Sequence, residues 1–251
     1  MSRTARVGLF LAAAAVFAVV FTLACTGLPH FGAASHPYGT RAVAAALRHR
    51  TANVISSVNF DQRAFDTLGE ESILFASVLG AVALLRPARD ERESSPLPLR
   101  VPPSTRLIGA ILLPLTLLTG VYIVAHGQLS PGGGFQGGVV LATGLHLAYV
   151  AADYRALRRV RPLVVLEVAD AVAAGAFALL GLAGLIAGSG YLRNVLPLGT
   201  FNQLSSGGLV PVINAAVGLE VGSGLVVLLA GFLDQAVEID TPPAAQDGDR
   251  A

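Results

Sequence analysis

Six apolar segments are the sequence feature that most constrains how this chain folds. They cover residues 7–28, 67–86, 107–125, 135–152, 163–187 and 210–233. A helix needs about 20 mostly apolar residues to cross the hydrocarbon of a bilayer, and each segment comes near that length. Hydrophobic residues make up 53% of the 251 residues, and charged residues only 13%. We therefore expect an all-α integral membrane protein with about six transmembrane helices.

A stretch rich in proline and charge divides these segments into two blocks. Residues 86–106 mix prolines with arginines and acids, a composition typical of a solvated linker. We predict a two-helix block over residues 1–90, a linker over 91–106 and a four-helix block over 107–235. The tail, residues 236–251, has no apolar pattern and is expected to be disordered.

An amphipathic pattern precedes the second apolar segment, within residues 38–66. Its apolar positions recur at spacings of 3, 4 and 7: Val43, Leu47, Val54, Ile55, Val58 and Phe60. Such spacing indicates a helix along a membrane or partner surface. An ordinary helix in an extramembrane loop fits the pattern equally well.

The arginines indicate the orientation of the chain. All 17 cationic residues are arginines. With a cytoplasmic N-terminus and six crossings, only Arg41, Arg48, Arg50, Arg63 and Arg193 fall outside. Because cytoplasmic loops are enriched in positive charge, we expect a multi-pass protein of the cell membrane with both termini in the cytoplasm.

The first apolar segment has a second interpretation. Arg3 and Arg6 followed by an apolar run also fit a secretory signal peptide, and Leu23-Ala24-Cys25 weakly resembles a lipoprotein cleavage site. Thr22 stands where a branched aliphatic residue is expected, and the apolar run is long for a signal core. We therefore expect the segment to remain as a membrane helix.

A glycine-rich elbow separates the third and fourth apolar segments. It includes Pro131, Gly132, Gly133, Gly134, Phe135, Gly137 and Gly138. Each glycine inside a helix costs about 1 kcal/mol relative to alanine, so helix formation does not explain this run. We predict either a turn or a place where another backbone comes very close, and we expect the elbow to lie against a neighbouring subunit.

A few ionisable residues lie within or beside the apolar segments. They are Asp66, Glu70, His146, Glu167, Asp170 and Glu220. Because ionisable groups at membrane depth are costly, they are candidates for a proton or cation relay. The alternative is structural: hydrogen bonds to neighbouring helices, or pairing of Glu167 and Asp170 with arginines of the cytoplasmic loops. Glu167 and Asp170 are three residues apart and are expected to share a helix face.

Several function classes are not supported by the sequence. No nucleotide-binding glycine loop, metal-ligand cluster or nucleic-acid motif is present, and the lone Cys25 cannot form an intramolecular disulfide. We expect no metal, no cofactor and no enzymatic role. Small residues are dense in the last two segments, including Gly218, Gly222 and Gly224, which indicates close helix packing within an assembly.

The elbow, Gly127 to Gly138, resembles the signature of the B-type subunit of the multisubunit Mnh/Mrp cation/proton antiporters. The resemblance continues through Leu192–Gly199 and Asn214–Val221, and covers roughly residues 104–235. It implies an ion-translocating assembly without redox chemistry, related to the membrane arm of respiratory complex I. That family commonly has a histidine after the opening glycine, where this chain has Gln128, so a protonation role is not expected there. The neighbouring His126 is a candidate to take over part of that role.

The first block has a resemblance of its own. Ala52-Asn53-Val54 and Phe60 to Glu70 are similar to the C-terminal tail of the large, A-type subunit of these antiporters. They are also similar to the corresponding small subunit of membrane-bound hydrogenases. The resemblance implies that this tail is fused in front of a B-type subunit.

Together these resemblances imply a membrane subunit of a Na⁺/H⁺ antiporter driven by the proton-motive force, with the other subunits as partners. Asp66, Glu70 and Glu220 are then the residues expected to border the ion path. The alternatives are an assembly subunit without a conduction role, and an ion-translocating module of a hydrogenase-type complex.

Overall fold

The computed structural model describes residues 3–28, 32, 36–85, 101–151 and 163–233. In these ranges all regular secondary structure is helical. The helices are α1 (Arg3–Thr26), α2 (Pro37–Arg48), α3 (Val54–Ser57), α4 (Ala64–Leu84), α5 (Pro103–Ala125), α6 (Gly134–Ala151), α7 (Leu163–Ile186) and α8 (Val210–Leu233). A π-helical segment, Val58–Gln62, connects α3 to α4.

Five of these helices are long and apolar enough to cross a membrane: α1, α4, α5, α7 and α8. The predicted all-α fold is therefore confirmed for the described residues, with five candidate spans where about six were expected. Helix α6, the fourth expected crossing, is not among the five. It has 18 residues, near the lower end of the length that a span needs.

The chain forms two compact units, residues 1–41 and 42–251. In the first unit, helix α1 has no buried residue. The second unit contains the helices from α3 to α8, and α2 spans the boundary between the two units. The predicted linker lies outside the described residues up to residue 100, and the tail from residue 236 onward lies outside them completely.

The amphipathic stretch before α4 is not one long helix. Helix α2 ends at Arg48, and Arg50 adopts a left-handed backbone with φ of 55°. A new helix then starts after Asn53, whose side-chain oxygen accepts hydrogen bonds from the backbone N–H groups of Ile55 and Ser56. In α2 the small Ala42 and Ala46 are buried, and the predicted apolar positions Val43 and Leu47 are exposed.

Helix α8 lies at the centre of the second unit, where α4, α6 and α7 pack against it. Its residues Ile213, Val217 and Val221 are fully buried. They share one core with Phe60 and Phe177, whose rings meet edge to face at 6.5 Å. The core therefore joins residues from both predicted blocks.

The glycine elbow packs against helices of its own chain. Gly132 and Gly133 have φ angles of 124° and 149°, a backbone region that favours glycine. Gly138 lies so close to α8 that a Cβ atom there would come within 2.8 Å of Val221 Cβ and 2.9 Å of the Gly218 carbonyl oxygen. The close backbone approach at the elbow is therefore made by α8 of the same chain. Pro131 and Phe135 of the elbow are exposed.

Candidate functional site

Glu220 lies in the middle of α8 and is completely buried. Neither of its carboxylate oxygens has a hydrogen-bond partner among the described residues. Burial of a carboxylate without hydrogen bonds costs free energy, because the group loses its hydrogen bonds to water and forms no others. Such a group in the core of a membrane protein is a candidate for a functional role.

Glu71 brings a second buried carboxylate to the same region from α4. Its helix buries Ala64, Thr67, Glu71 and Val78, which recur at spacings of three, four and seven residues on one face. The side chain is 4% exposed, and within the part of the chain that is described its Oε2 has no hydrogen-bond partner. Glu71 is near enough to Glu220 for the two carboxylates to interact electrostatically.

Asp170 supplies the third carboxylate, from α7. It is 4% exposed and also interacts electrostatically with Glu220. Gly224, one turn beyond Glu220 on α8, makes this approach possible. A Cβ atom at Gly224 would lie 3.1 Å from Asp170 Oδ1 and 3.4 Å from a methyl group of Val78. We call Glu71, Asp170 and Glu220 the carboxylate cluster.

The carboxylate cluster concentrates negative charge where three helices meet. Like charges repel strongly in surroundings of low dielectric constant, so the cluster is suited to hold a proton or a small cation that offsets part of this charge. Among the described residues, no group of three His, Cys, Asp or Glu side chains is arranged to hold a metal ion. In the described structure the three carboxylates are therefore not arranged as a preformed three-ligand metal site.

The remaining predicted site residues lie elsewhere. Glu70 and Glu167 are exposed, and Asp66 is exposed in an ion pair with Arg63, whose Nε donates to Asp66 Oδ2 at 2.6 Å. His146 is half-buried on α6. Of the six ionisable candidates, the structure brings Asp170 and Glu220 together.

Glu71 was missed by sequence reasoning, which singled out its neighbour Glu70. The signal was present in the spacing of Thr67, Glu71 and Val78, which places Glu71 on the buried face of α4. Glu167 and Asp170 do not share an environment, since Glu167 is exposed and Asp170 is buried.

A network of asparagines holds the elbow beside the helix that carries Glu220. Asn214 of α8 is fully buried; its Oδ1 accepts a hydrogen bond from Gly134 N at 2.7 Å, and its Nδ2 donates to Ser56 Oγ at 3.0 Å. Asn53 donates from Nδ2 to the carbonyl oxygens of Gly127 and Ser130, both at 2.8 Å. The elbow is thereby fixed to segments from both predicted blocks.

Gln128 occupies the elbow position where a histidine is common in the resembling family. It is fully buried, and its Nε2 donates to the carbonyl oxygen of Leu204 at 2.8 Å. The neighbouring His126 stacks on Tyr122, with ring centroids 4.0 Å apart.

Comparison with known proteins identifies the second half of the chain. Residues 104–227 match the family described as a domain related to the MnhB subunit of Na⁺/H⁺ antiporter. An uncharacterized protein of Methanocaldococcus jannaschii is 30% identical over 198 residues, which are 69% of this chain and 74% of that protein. The chain belongs to the MnhB-related family.

Two solved structures share the fold of this MnhB-related protein. One is a chain of the membrane-bound sulfane sulfur reductase, an archaeal respiratory membrane complex. It has a TM-score of 0.67 and 27% identity, with coverage of 90% of this chain and 98% of that chain. The other is a chain of the Mrp complex from Dietzia, with a TM-score of 0.67 and 23% identity. The match covers 96% of this chain but only 27% of the Dietzia chain.

The MnhB-related domain contains two members of the carboxylate cluster, Asp170 and Glu220, and the whole elbow. Glu71 lies before the matched residues. The site therefore combines the MnhB-related domain with a helix that precedes it.

Proposed function

We propose that this protein is a membrane subunit of a multisubunit Na⁺/H⁺ antiporter of the Mrp type, driven by the proton-motive force. The observation that carries the proposal is the carboxylate cluster inside an MnhB-related fold. Related folds occur in an Mrp complex and in an archaeal respiratory membrane complex. The other subunits of such a complex are its proposed partners, and Na⁺ and H⁺ its proposed ions.

In this proposal the cluster binds a proton or Na⁺ in passage. Three carboxylates from three helices can release one cation and take up another, so that the three negative charges are never all left uncompensated. Glu220 is central, because both Glu71 and Asp170 interact with it. The exposed Asp66, Glu70 and Glu167 lie outside the cluster and are assigned no part in binding the ion, whereas His146 is proposed to lie beside the path on α6.

We propose further that α6 is a sixth crossing and that both termini are cytoplasmic. Helix α6 packs along α5 and α8, which are themselves candidate spans, so it runs beside crossing helices. The distribution of the arginines supports the orientation. Residues 1–90 are proposed to be the counterpart of the C-terminal tail of the A-type antiporter subunit, because residues 52–54 and 60–70 resemble that tail.

The test is Na⁺-driven proton exchange in everted membrane vesicles that contain the complete complex. Glu220→Gln and Glu71→Gln remove one charge each with little change of shape, and we expect most of the exchange to be lost. Glu70→Gln is the matched control, because it removes the same charge one residue away on the exposed face of α4. Assembly is measured on native gels for each variant. Full exchange by both cluster variants in an intact complex would refute the role of the cluster.

A structural role without conduction is the second candidate function. It is favoured by the close contacts of the elbow with α8, which leave no room for a Cβ atom at several glycines. Under this alternative, substitutions of the cluster are silent in the exchange assay, and substitutions of the elbow glycines disperse the complex. The alternative for the complex itself is that the protein is an ion-translocating module of a respiratory or hydrogenase-type complex. The archaeal structure suggests this alternative.

A further inference from the structure

The rotation of α4 decides which of two adjacent acids joins the carboxylate cluster. Glu70 and Glu71 are neighbours on this helix, yet Glu71 is buried and Glu70 is exposed. Successive residues of an α-helix lie about 100° apart around its axis. A turn of α4 by that angle would bring Glu70 to the position of Glu71, so the cluster depends on how this rotation is held.

The backbone before α4 is interrupted and does not fix the rotation by itself. The π segment, Val58–Gln62, ends at Arg63, whose φ of −136° and ψ of 37° lie outside the helical region. A continuous helix would carry the orientation of one turn into the next, and a break removes that constraint. Contacts across the break must therefore orient α4.

The π segment is a firm reference for this orientation. Its Phe60 is buried in the core and meets the ring of Phe177 edge to face. Phe177 lies seven residues after Asp170, two turns along α7, so both residues share one face of that helix. The π segment also packs against α8, which carries Glu220. It is thereby attached to both helices that supply the other two carboxylates.

Thr67 makes a hydrogen bond that crosses the break. Its side chain is buried, and its Oγ1 donates to the carbonyl oxygen of Asn59, within the π segment, at 2.7 Å. Thr67 precedes Glu71 by one turn, on the same buried face of α4. The bond therefore holds the first turns of α4 to a segment that is already fixed on α7 and α8.

We propose that Thr67 is a positioning residue for the carboxylate cluster. By bonding α4 to the π segment, its hydroxyl turns Glu71, rather than Glu70, toward Glu220. A π-helical turn beside a site often has a functional role, and here it supplies the acceptor for Thr67. The inference rests on the proposed role of the cluster in ion exchange, and Thr67 acts through Glu71 without binding the ion itself.

The test separates the hydroxyl of Thr67 from its methyl group. Thr67→Val keeps the shape and removes the donor, whereas Thr67→Ser keeps the donor and removes the methyl group. In everted vesicles with the complete complex, we expect Thr67→Val to lose most of the Na⁺-driven proton exchange and Thr67→Ser to retain it. Both variants lose a buried interaction, so both melting temperatures should fall. Equal losses of exchange would overturn the inference, because reduced stability would then explain them.

Ser72→Ala is the matched control. It also removes a hydroxyl that donates to a backbone carbonyl oxygen of α4, that of Leu68 at 2.6 Å, but on the exposed side of the helix. We expect its exchange to be unchanged. A loss as large as that of Thr67→Val would overturn the inference as well, because the effect would not be specific to the bond with Asn59.

A double variant distinguishes this inference from the proposed function. If Thr67 acts through Glu71, Thr67→Val combined with Glu71→Gln should leave the same exchange as Glu71→Gln alone. A further loss in an assembled complex would contradict that link. Full exchange by Thr67→Val beside an inactive Glu71→Gln would refute only the role of Thr67. Full exchange by both Glu71→Gln and Glu220→Gln would instead refute the cluster, and this inference with it.

Discussion

The Oδ1 atom of Asn214 accepts a hydrogen bond from the backbone N–H of Gly134 at 2.7 Å. This bond ties the first residue of α6 to α8, and the Nδ2 atom of the same side chain donates to Ser56 Oγ and to the Val210 carbonyl oxygen. One buried amide therefore joins α6, α8 and the segment before α4. The N-terminus of α6 gains a partner for a backbone donor that no helical bond satisfies.

We expect Asn214→Leu to destabilise the protein by about 1–3 kcal/mol, because it leaves Gly134 N and Ser56 Oγ buried without their partner. The measurement is the melting temperature of the purified protein in detergent. Ala215→Ser, at the next and exposed position of α8, is the control and should have little effect. An Asn214→Leu variant as stable as its control would show that the network does not stabilise the elbow.

Substitution of Gly138 by alanine should disrupt the packing of α6 on α8. The new methyl group would lie 2.8 Å from Val221 Cβ and 2.9 Å from a backbone oxygen, neither of which can move freely. Overpacking of this kind typically costs about 1–3 kcal/mol. Gly175→Ala is the matched control, because nothing lies within 4 Å of the added Cβ atom and alanine favours the helix by about 1 kcal/mol. Opposite shifts of the two melting temperatures are expected.

Replacement of Asn53 by alanine should weaken the link between α3 and the elbow. The substitution removes an N-cap worth about 1 kcal/mol, together with the side-chain bonds to the Gly127 and Ser130 carbonyl oxygens. Hydrogen exchange measured by mass spectrometry should show faster exchange in both the elbow and α3. Faster exchange in α3 alone would mean that the elbow does not depend on Asn53.

Within the carboxylate cluster, Gly224→Ala should reduce ion exchange without removing an acid. The added methyl group would press on Asp170 and Val78, at 3.1 and 3.4 Å, and so separate Asp170 from Glu220. The exchange assay with everted vesicles should show a partial loss, smaller than that of Glu220→Gln. Gly80→Ala, an open position on α4, is the control. Unchanged exchange in the Gly224 variant would argue against a need for close carboxylates.

A pairwise test of the cluster compares Asp170→Asn with Glu167→Gln. The two acids lie one turn apart on α7, but only Asp170 is buried. We expect a loss of exchange for Asp170→Asn and none for Glu167→Gln. Asp170→Asn combined with Glu71→Gln should lose little more than either alone, because residues that act as one unit are not additive. Equal losses from Asp170→Asn and Glu167→Gln would contradict the importance of burial.

Long apolar runs made the membrane helices predictable, because a span needs only length and low charge. The elbow was also predictable, since consecutive glycines in a membrane hairpin indicate a turn or a close backbone approach. The helix that faces the elbow was not predictable, because nothing in Gly132 or Gly134 specifies whether that helix belongs to the same chain. The structure places Asn214, Val217 and Val221 of its own α8 there.

The carboxylate cluster was only partly predictable, for a similar reason. Depth along an apolar run can be counted, and Glu220 was found that way. The rotation of a helix depends on its neighbours, and α4 turns Glu71 inward and Glu70 outward through packing on α7 and α8. The break after α2 depends on Arg50 in a left-handed conformation, which an arginine rarely adopts and no sequence rule anticipates.

Glu71 comes from a different predicted block than Asp170 and Glu220, although all three carboxylates meet at α8. Because one polypeptide carries both blocks, each copy of α8 is supplied with its own α4 in a fixed one-to-one ratio. If the two blocks were separate chains, Glu71 would join the cluster only after the two chains had associated. Unequal expression would then leave some copies of α8 without Glu71. Covalent continuity removes that dependence on concentration.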